Sequence, residues 1–106
     1  DAAIITLAAG CKGLKHLDLT RCRITNNSID ALASSCIGLK HLTLSKCINI
    51  TDSAIIALAA SCKGLRFLDV SWCIKLTIYA MSSMADKYEG LVCLHKGCVR
   101  IRVYFM

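Results

Sequence analysis

Apolar and polar residues alternate at three places in the chain: His16-Leu17-Asp18-Leu19, His41-Leu42-Thr43-Leu44 and Phe67-Leu68-Asp69-Val70. An apolar side chain at every second position predicts a short strand with one face buried. Between these stretches the period changes. Ile29, Leu32, Ala33 and Cys36 fall at i, i+3, i+4 and i+7, as do Ile55, Leu58, Ala59 and Cys62, which places one apolar stripe on a helix of about three turns. The opening DAAIITLAAG matches DSAIIALAAS, so the chain begins inside a helix of the same kind, with Asp1 in the place of Asp52. Strand and helix alternate once per unit.

The units repeat in detail. CKGLKHLDLTRC from Cys11, CIGLKHLTLSKC from Cys36 and CKGLRFLDVSWC from Cys62 superpose without a gap as Cys-x-Gly-Leu-x-x-Leu-x-(Leu/Val)-x-x-Cys, and the cysteines are spaced by 25 and then 26 residues. A period of this size belongs to solenoids, in which each unit buries its apolar face against the next. Thr25-Asn26 and Thr51-Asp52 offer side-chain oxygens to the unpaired amides at the helix starts, and Gly13, Gly38, Gly64 and Gly90 are expected to end the helices in a left-handed turn. In TIYAMSSMADKYEGL, Met81, Met84, Ala85 and Tyr88 take the places of Ile55, Leu58, Ala59 and Cys62, and the match fades after Leu91. Residues 1–91 are thus repeats and 92–106 a degenerate last repeat or closing strand, with Val99, Ile101, Val103 and Phe105 alternating against Arg100, Arg102 and Tyr104. No proline and no Ser/Gly-rich run divides the chain, so one domain is expected, and its uncapped ends suggest a fragment of a longer solenoid, with Ile4, Leu7 and Ala8 open on one side.

Eight cysteines raise the question of thiol chemistry. Cys22, Cys47 and Cys73 form one column at the turn after each strand, and Cys11, Cys36 and Cys62 a second at each helix end. Cysteine is a small hydrophobe with a weak donor, suited to tight interior turns, and core filling is the expectation. Stacked strands lie about 4.8 Å apart, but in-register side chains point the same way, which opposes a disulfide. No Cys-x-x-Cys occurs, and Cys93, His95 and Cys98 lack further ligands at metal-site spacing. Cys93, aligned with the exposed His16, His41 and Phe67 positions, is the one thiol placed for reactivity, and an incidental residue in a fading repeat explains it better than catalysis. We therefore expect no catalytic residue, no metal, no cofactor and no enzyme activity. The glycines recur with the repeat instead of forming a phosphate-cradling loop.

What remains is surface. With Leu17, Leu42 and Leu68 inward, His16, His41 and Phe67 stack as one outward column, Asp18, Thr43 and Asp69 as a second, and Thr20, Ser45 and Ser71 as a third. Lys15, Lys40 and Arg66 precede them, and Arg21, Lys46 and Trp72 follow. Like charges in adjacent strands repel, so the basic column is either solvated by water, its long stems splayed, or matched by an acidic partner segment, and Trp72 beside cations suits either an interface anchor or packing under the next loop. The formal net charge of +6 raises nucleic acid as a partner, yet scattered cations without interleaved aromatics argue against it. No apolar run approaches the roughly 20 residues of a membrane span.

LKHLDLTRCRIT and LKHLTLSKCINIT resemble the Leu-x-x-Leu-x-Leu-x-x-(Asn/Cys)-x-(Leu/Ile) core of leucine-rich repeats, and cysteine at the asparagine place resembles the cysteine-containing subfamily. The resemblance covers residues 1–91 and implies an α/β solenoid, a horseshoe arc with a parallel sheet on the concave face and helices on the convex face. It implies a binding surface on the concave face, here Lys15, His16, Asp18, Lys40, His41, Thr43, Arg66, Phe67, Asp69 and Trp72. The subfamily is best known from F-box/leucine-rich-repeat substrate receptors of cullin-based ubiquitin ligases, which implies a substrate-binding domain whose contact with ligase components runs through an F-box. It also occurs in scaffolds such as the ciliary nexin-dynein regulatory complex, which implies the alternative of a structural subunit. Either role is cytoplasmic, with a cytoskeletal or ciliary site for the second. Two features depart from the pattern: the segment between Cys22 and Ile29 is one residue shorter than that between Cys47 and Ile55, and Ile78 stands where a polar residue is usual after Thr77.

Overall fold

The alternating stretches form strands and the 3.6-period stretches form helices. A computed structural model describes residues 1–77, 79, 80 and 82 and the backbone of 91–96 and 101–105. The elements run α1 (Ala2–Gly10), β1 (His16–Asp18), α2 (Asn26–Ser35), β2 (His41–Thr43), α3 (Asp52–Ser61), β3 (Phe67–Asp69), β4 (Leu91–Lys96) and β5 (Ile101–Phe105). The fourth-unit helix positions Met81, Met84, Ala85 and Tyr88, and Gly90, lie outside the described residues.

β1, β2 and β3 pair in parallel with equivalent repeat positions side by side: His16, His41 and Phe67, then Leu17, Leu42 and Leu68, then Asp18, Thr43 and Asp69. The sheet order is β1-β2-β3-β5-β4, and β5 lies antiparallel to β3. This corrects the expected place of Cys93: Tyr104 stands in register with Phe67, and Cys93 is paired with Val103 in the outer strand pair.

The predicted stripes make the core. Ile29, Leu32, Ala33 and Cys36 of α2 and Ile55, Leu58, Ala59 and Cys62 of α3 are buried, together with Leu39, Leu42, Leu44 and Cys47 and their counterparts Leu65, Leu68, Val70 and Cys73. In the first unit Ile4, Leu7, Leu14, Leu17 and Cys22 are only partly buried, because one of their sides has no neighbouring unit. Ala8 departs from the expectation of an open side: it is fully buried, on the helix that packs against α2. Full burial of a leucine or isoleucine stabilises by about 1.5–3 kcal/mol, so stacking of one unit on the next supplies most of the fold's stability.

Helix ends and strand ends reverse the expectation for backbone hand. The helices close on Cys11, Cys36 and Cys62, with φ of −123°, −103° and −93°, and their N–H groups donate to the carbonyls of Leu7, Leu32 and Leu58. Gly13, Gly38 and Gly64 follow in a turn that is not left-handed, with open space where a Cβ would project. The left-handed residue of each unit lies instead after the strand, at Arg21, Lys46 and Trp72, with φ of 62°, 63° and 64°. There the N–H of Cys22, Cys47 and Cys73 reaches back three residues to Leu19, Leu44 and Val70 at 3.0–3.2 Å. A turn with positive φ at its third residue favours glycine or asparagine, and other residues tolerate it at about 1–2 kcal/mol only when the surroundings fix it.

Those surroundings are bonds between units. Cys47 Sγ donates to the Leu19 carbonyl at 3.0 Å and Cys73 Sγ to the Leu44 carbonyl at 2.9 Å, so each turn cysteine satisfies the turn carbonyl of the unit before it. The N–H of Arg21 and of Lys46 donates to Ser45 and Ser71 of the unit after, at 2.8 and 2.7 Å. At the helix starts, Thr25 donates its N–H and hydroxyl to the two carboxylate oxygens of Asp1 at 2.8 and 2.7 Å. Thr77 does the same to Asp52, with its N–H at 2.8 Å. Between them, Thr51 N–H donates to Asn26 Oδ1 at 3.0 Å and Asn26 Nδ2 donates to Thr51 Oγ1 at 2.6 Å. Asn26 and Asp52 thus clamp the following unit, where the sequence suggested caps for their own helices. Thr25 and Thr77 also cap locally, accepting from the N–H groups of Asn27 and Tyr79 at 3.3 and 3.2 Å. Thr51 makes no such cap, because the Asn26 amide donates to its oxygen.

Asn26→Ala removes both bonds of the middle clamp, and we expect a loss of about 1–3 kcal/mol in urea unfolding. Asn26→Asp reproduces the carboxylate of Asp1 and Asp52 and is expected to retain most of that stability. An Asn26→Ala variant as stable as the wild type would show that the clamp contributes nothing.

Candidate functional site

The parallel strands set the outward columns. The N–H groups of Lys40 and His41 both donate to the Lys15 carbonyl, at 2.8 and 2.9 Å, and those of Arg66 and Phe67 to the Lys40 carbonyl, at 2.8 and 3.1 Å. These shared acceptors bring Lys15, Lys40 and Arg66 into one row at the strand entrance. The next row is aromatic. The rings of His16 and His41 are 5.4 Å apart and inclined at 52°, and those of His41 and Phe67 are stacked at 4.2 Å with planes 20° apart. Offset stacking of this kind stabilises by about 0.5–1.5 kcal/mol beyond burial and gives the sheet face a rigid flat strip beside three cations.

The row of Asp18, Thr43 and Asp69 divides. Asp18 is exposed, and its carboxylate accepts the N–H of Thr20 at 2.9 Å and the Thr20 hydroxyl. The Thr20 hydroxyl, then its amide, hold the Asp18 carboxyl below its ordinary range, with a further contribution from His41. Asp69 bonds Ser71 in the same way. Both are buried, which corrects the expectation that the second and third columns stay outward along their whole length. Asp69 is the last residue of β3, the strand that pairs with β5, and Ser71 lies two residues past it. Trp72 stands past the end of β3 at 40% exposure, on the left-handed turn and not on the sheet face itself.

Carboxylates and cations are segregated. Asp1, Asp18 and Asp52 bond threonine hydroxyls and amides within the fold, while Lys15, Arg21, Lys46 and Arg66 are exposed. The sequence pattern gave no hint of this, because aspartate at a helix start also reads as an ordinary cap. The exposed isoleucines Ile48 and Ile74 also escaped the repeat pattern. Their signal was the extra residue after Cys47: Ile24 and Ile50 are both buried, so the surplus residue loops out and carries Ile48 to the surface.

The cysteines divide by environment. Burial pushes the thiol of Cys36 up, those of Cys47 and Cys62 up to about 11, and that of Cys73 up to about 12. Cys36 and Cys62 donate to carbonyls of the unit before, Cys11 at 3.3 Å and Cys36 at 3.6 Å. Cys22 is partly buried and Cys11 exposed. Such protonated, hydrogen-bonded thiols are poor nucleophiles and poor metal ligands. Among the described residues, no group of three histidine, cysteine or acidic side chains is placed to hold a metal ion. No described helix is long and apolar enough to cross a membrane.

A family profile described as the At1g61320/AtMIF1 LRR domain matches residues 4–91. Comparison with curated proteins gave no match.

At neutral pH a small thiol reagent should label Cys11 rapidly, and Cys36, Cys47, Cys62 and Cys73 only after unfolding, read peptide by peptide in a mass spectrometer. Unfolded thiols ionise near pH 8.5–9, before the raised folded ones, so the unfolded state loses protons first. Stability from this source is complete below about pH 8 and declines as pH rises from about 9 to 11. A urea midpoint that stays constant across that range would contradict the role of these thiols.

Proposed function

We propose a function from one premise: the chain belongs to the leucine-rich-repeat family. Leucine-rich repeats present extended surfaces to protein partners, and membership supports protein-protein interaction as the activity of this domain. We take the chain to be a non-enzymatic recognition module that binds an acidic protein segment across its sheet face, in the cytoplasm. The row of Lys15, Lys40 and Arg66 beside the His16-His41-Phe67 strip carries this reading. Three stacked cations repel one another and are relieved by carboxylates of a partner, while the aromatic strip offers flat apolar contact next to them. His16, His41, Phe67, Asp18 and Thr43 belong to the same surface, and Asp69 supports it from below through Ser71.

The finer reading is a substrate-binding domain of an F-box/leucine-rich-repeat ubiquitin-ligase receptor, the repeats curving into an arc with the sheet on its concave side. The resemblance of the cysteine-bearing repeat to that subfamily supports it. In the competing role the same surface docks permanently in a large assembly such as the ciliary nexin-dynein regulatory complex. Affinity purification of the parent protein from its native cells separates the two. Stoichiometric recovery of a cullin and its adaptor supports the receptor, whereas a fixed set of large structural proteins without a ligase supports the scaffold. In either case Lys40→Glu with Arg66→Glu should weaken partner capture at least tenfold and leave folding nearly unchanged, since neither side chain enters the core. Undiminished capture by this double variant would remove the basic row from the binding surface.

A further inference from the structure

We propose that the turns after the three strands form a second contact surface, one that takes an acidic protein segment carrying apolar side chains. Residues 20–25, 45–51 and 71–77 make these turns and contain Arg21, Arg23, Lys46 and Lys75 but no aspartate or glutamate. The carboxylates bordering them, Asp1, Asp18 and Asp52, bond threonine. A partner's carboxylates meet the exposed cations Arg21, Arg23, Lys46 and Lys75 of these turns.

The apolar part is built by two separate devices. Left-handed backbone places Arg21, Lys46 and Trp72 on one exposed row, held in step by the bonds from Arg21 and Lys46 N–H to Ser45 and Ser71. The looped-out residue after Cys47, and its counterpart after Cys73, bring Ile48 and Ile74 to 51% and 55% exposure in the next row. Tyr79 adds a side chain at 72% exposure just beyond, where its N–H meets Thr77. Isoleucines half exposed in neighbouring units are not required by the core, since Ile50 and Leu76 already fill the inward positions of the same turns. Backbone strain maintained at one position through three units marks a surface shaped for use more than for stability.

Tryptophan, tyrosine and arginine together are the composition of protein interface centres. A strip two rows wide, with each isoleucine half sunk in its own turn, offers too little apolar area to anchor on a bilayer. The turns lie past the C-terminal ends of the strands, whereas the row of Lys15, Lys40 and Arg66 lies at their N-terminal ends, so charge reversal at Lys40 and Arg66 tests the two separately.

Trp72 is the one tryptophan of the chain, so its emission reports this surface directly. The intact chain is titrated with a synthetic glutamate-rich peptide bearing interspersed phenylalanines, with the same peptide carrying serine for phenylalanine, and with phosphatidylserine/phosphatidylcholine vesicles. We expect the phenylalanine peptide to shift the emission to the blue with saturation, the serine peptide to bind at least tenfold more weakly, and added salt to weaken both. Ile48→Ser with Ile74→Ser should lower the first affinity at least tenfold, while Lys40→Glu with Arg66→Glu leaves the emission shift in place. Equal affinity for the two peptides, binding without a change in Trp72 emission, absence of binding, or a shift by vesicles alone would each overturn the proposal. The wild-type titration decides even if the isoleucine double variant fails to fold.

Discussion

Every turn after a strand exposes backbone groups that no sheet or helix can pair, and the unit next door must pair them. The carbonyl of Leu19 is met by the thiol of Cys47, and the carbonyl of Leu44 by the thiol of Cys73. Each of these carbonyls also accepts the N–H of Cys22 or Cys47 in its own turn, so the thiol adds a second bond that forms in one register only. A slip by one residue would break the thiol bonds, undo the threonine clamps and turn Leu42 and Leu68 outward at the same time. Cysteine suits the position because its side chain is small and apolar yet still donates. A disulfide would consume the proton on which the bond depends.

The same lateral bonding decides the electrostatics. Carboxylates at the helix starts bind threonines of the following unit, and the aspartate at the end of β1 binds its own turn. Three carboxylates are thus engaged by hydrogen bonds, while Lys15, Arg21, Lys46 and Arg66 are exposed. The rows of Lys15, Lys40 and Arg66 and of Arg21, Lys46 and Trp72 lie at opposite ends of the strands because each unit repeats the last. Recognition in such a fold is distributed: a single substitution changes one step of a row, and the row persists.

The two ends of the stack differ. At the first unit the core residues Leu14, Leu17 and Cys22 are partly exposed, whereas at the third Leu65, Leu68 and Cys73 are buried and β5 pairs antiparallel with β3. A reversed strand continues the sheet but interrupts the stacking of identical positions, so the aromatic and basic rows end at Phe67 and Arg66 as repeat-defined features.

Periodicity by itself pointed to the helices, the short strands, the inward leucines and the buried thiols of Cys36, Cys47, Cys62 and Cys73, because each depends on residue type recurring at a fixed step. It also set which residues share an outward row, since parallel pairing aligns equal positions. Other features depended on what lies beside a residue in space. The left-handed backbone at Arg21, Lys46 and Trp72 carries no glycine signal, and at Arg21 and Lys46 bonds to the next unit and not local propensity hold it there. Asn26 and Asp52 look like helix caps from their own segment, and only the approach of Thr51 and Thr77 makes them clamps. Burial of Asp69 and Ser71, in the unit whose strand pairs with β5, is likewise specified by no local pattern. Sequence fixes a repeat through local chemistry; contact between units decides how the backbone bends to satisfy its unpaired groups.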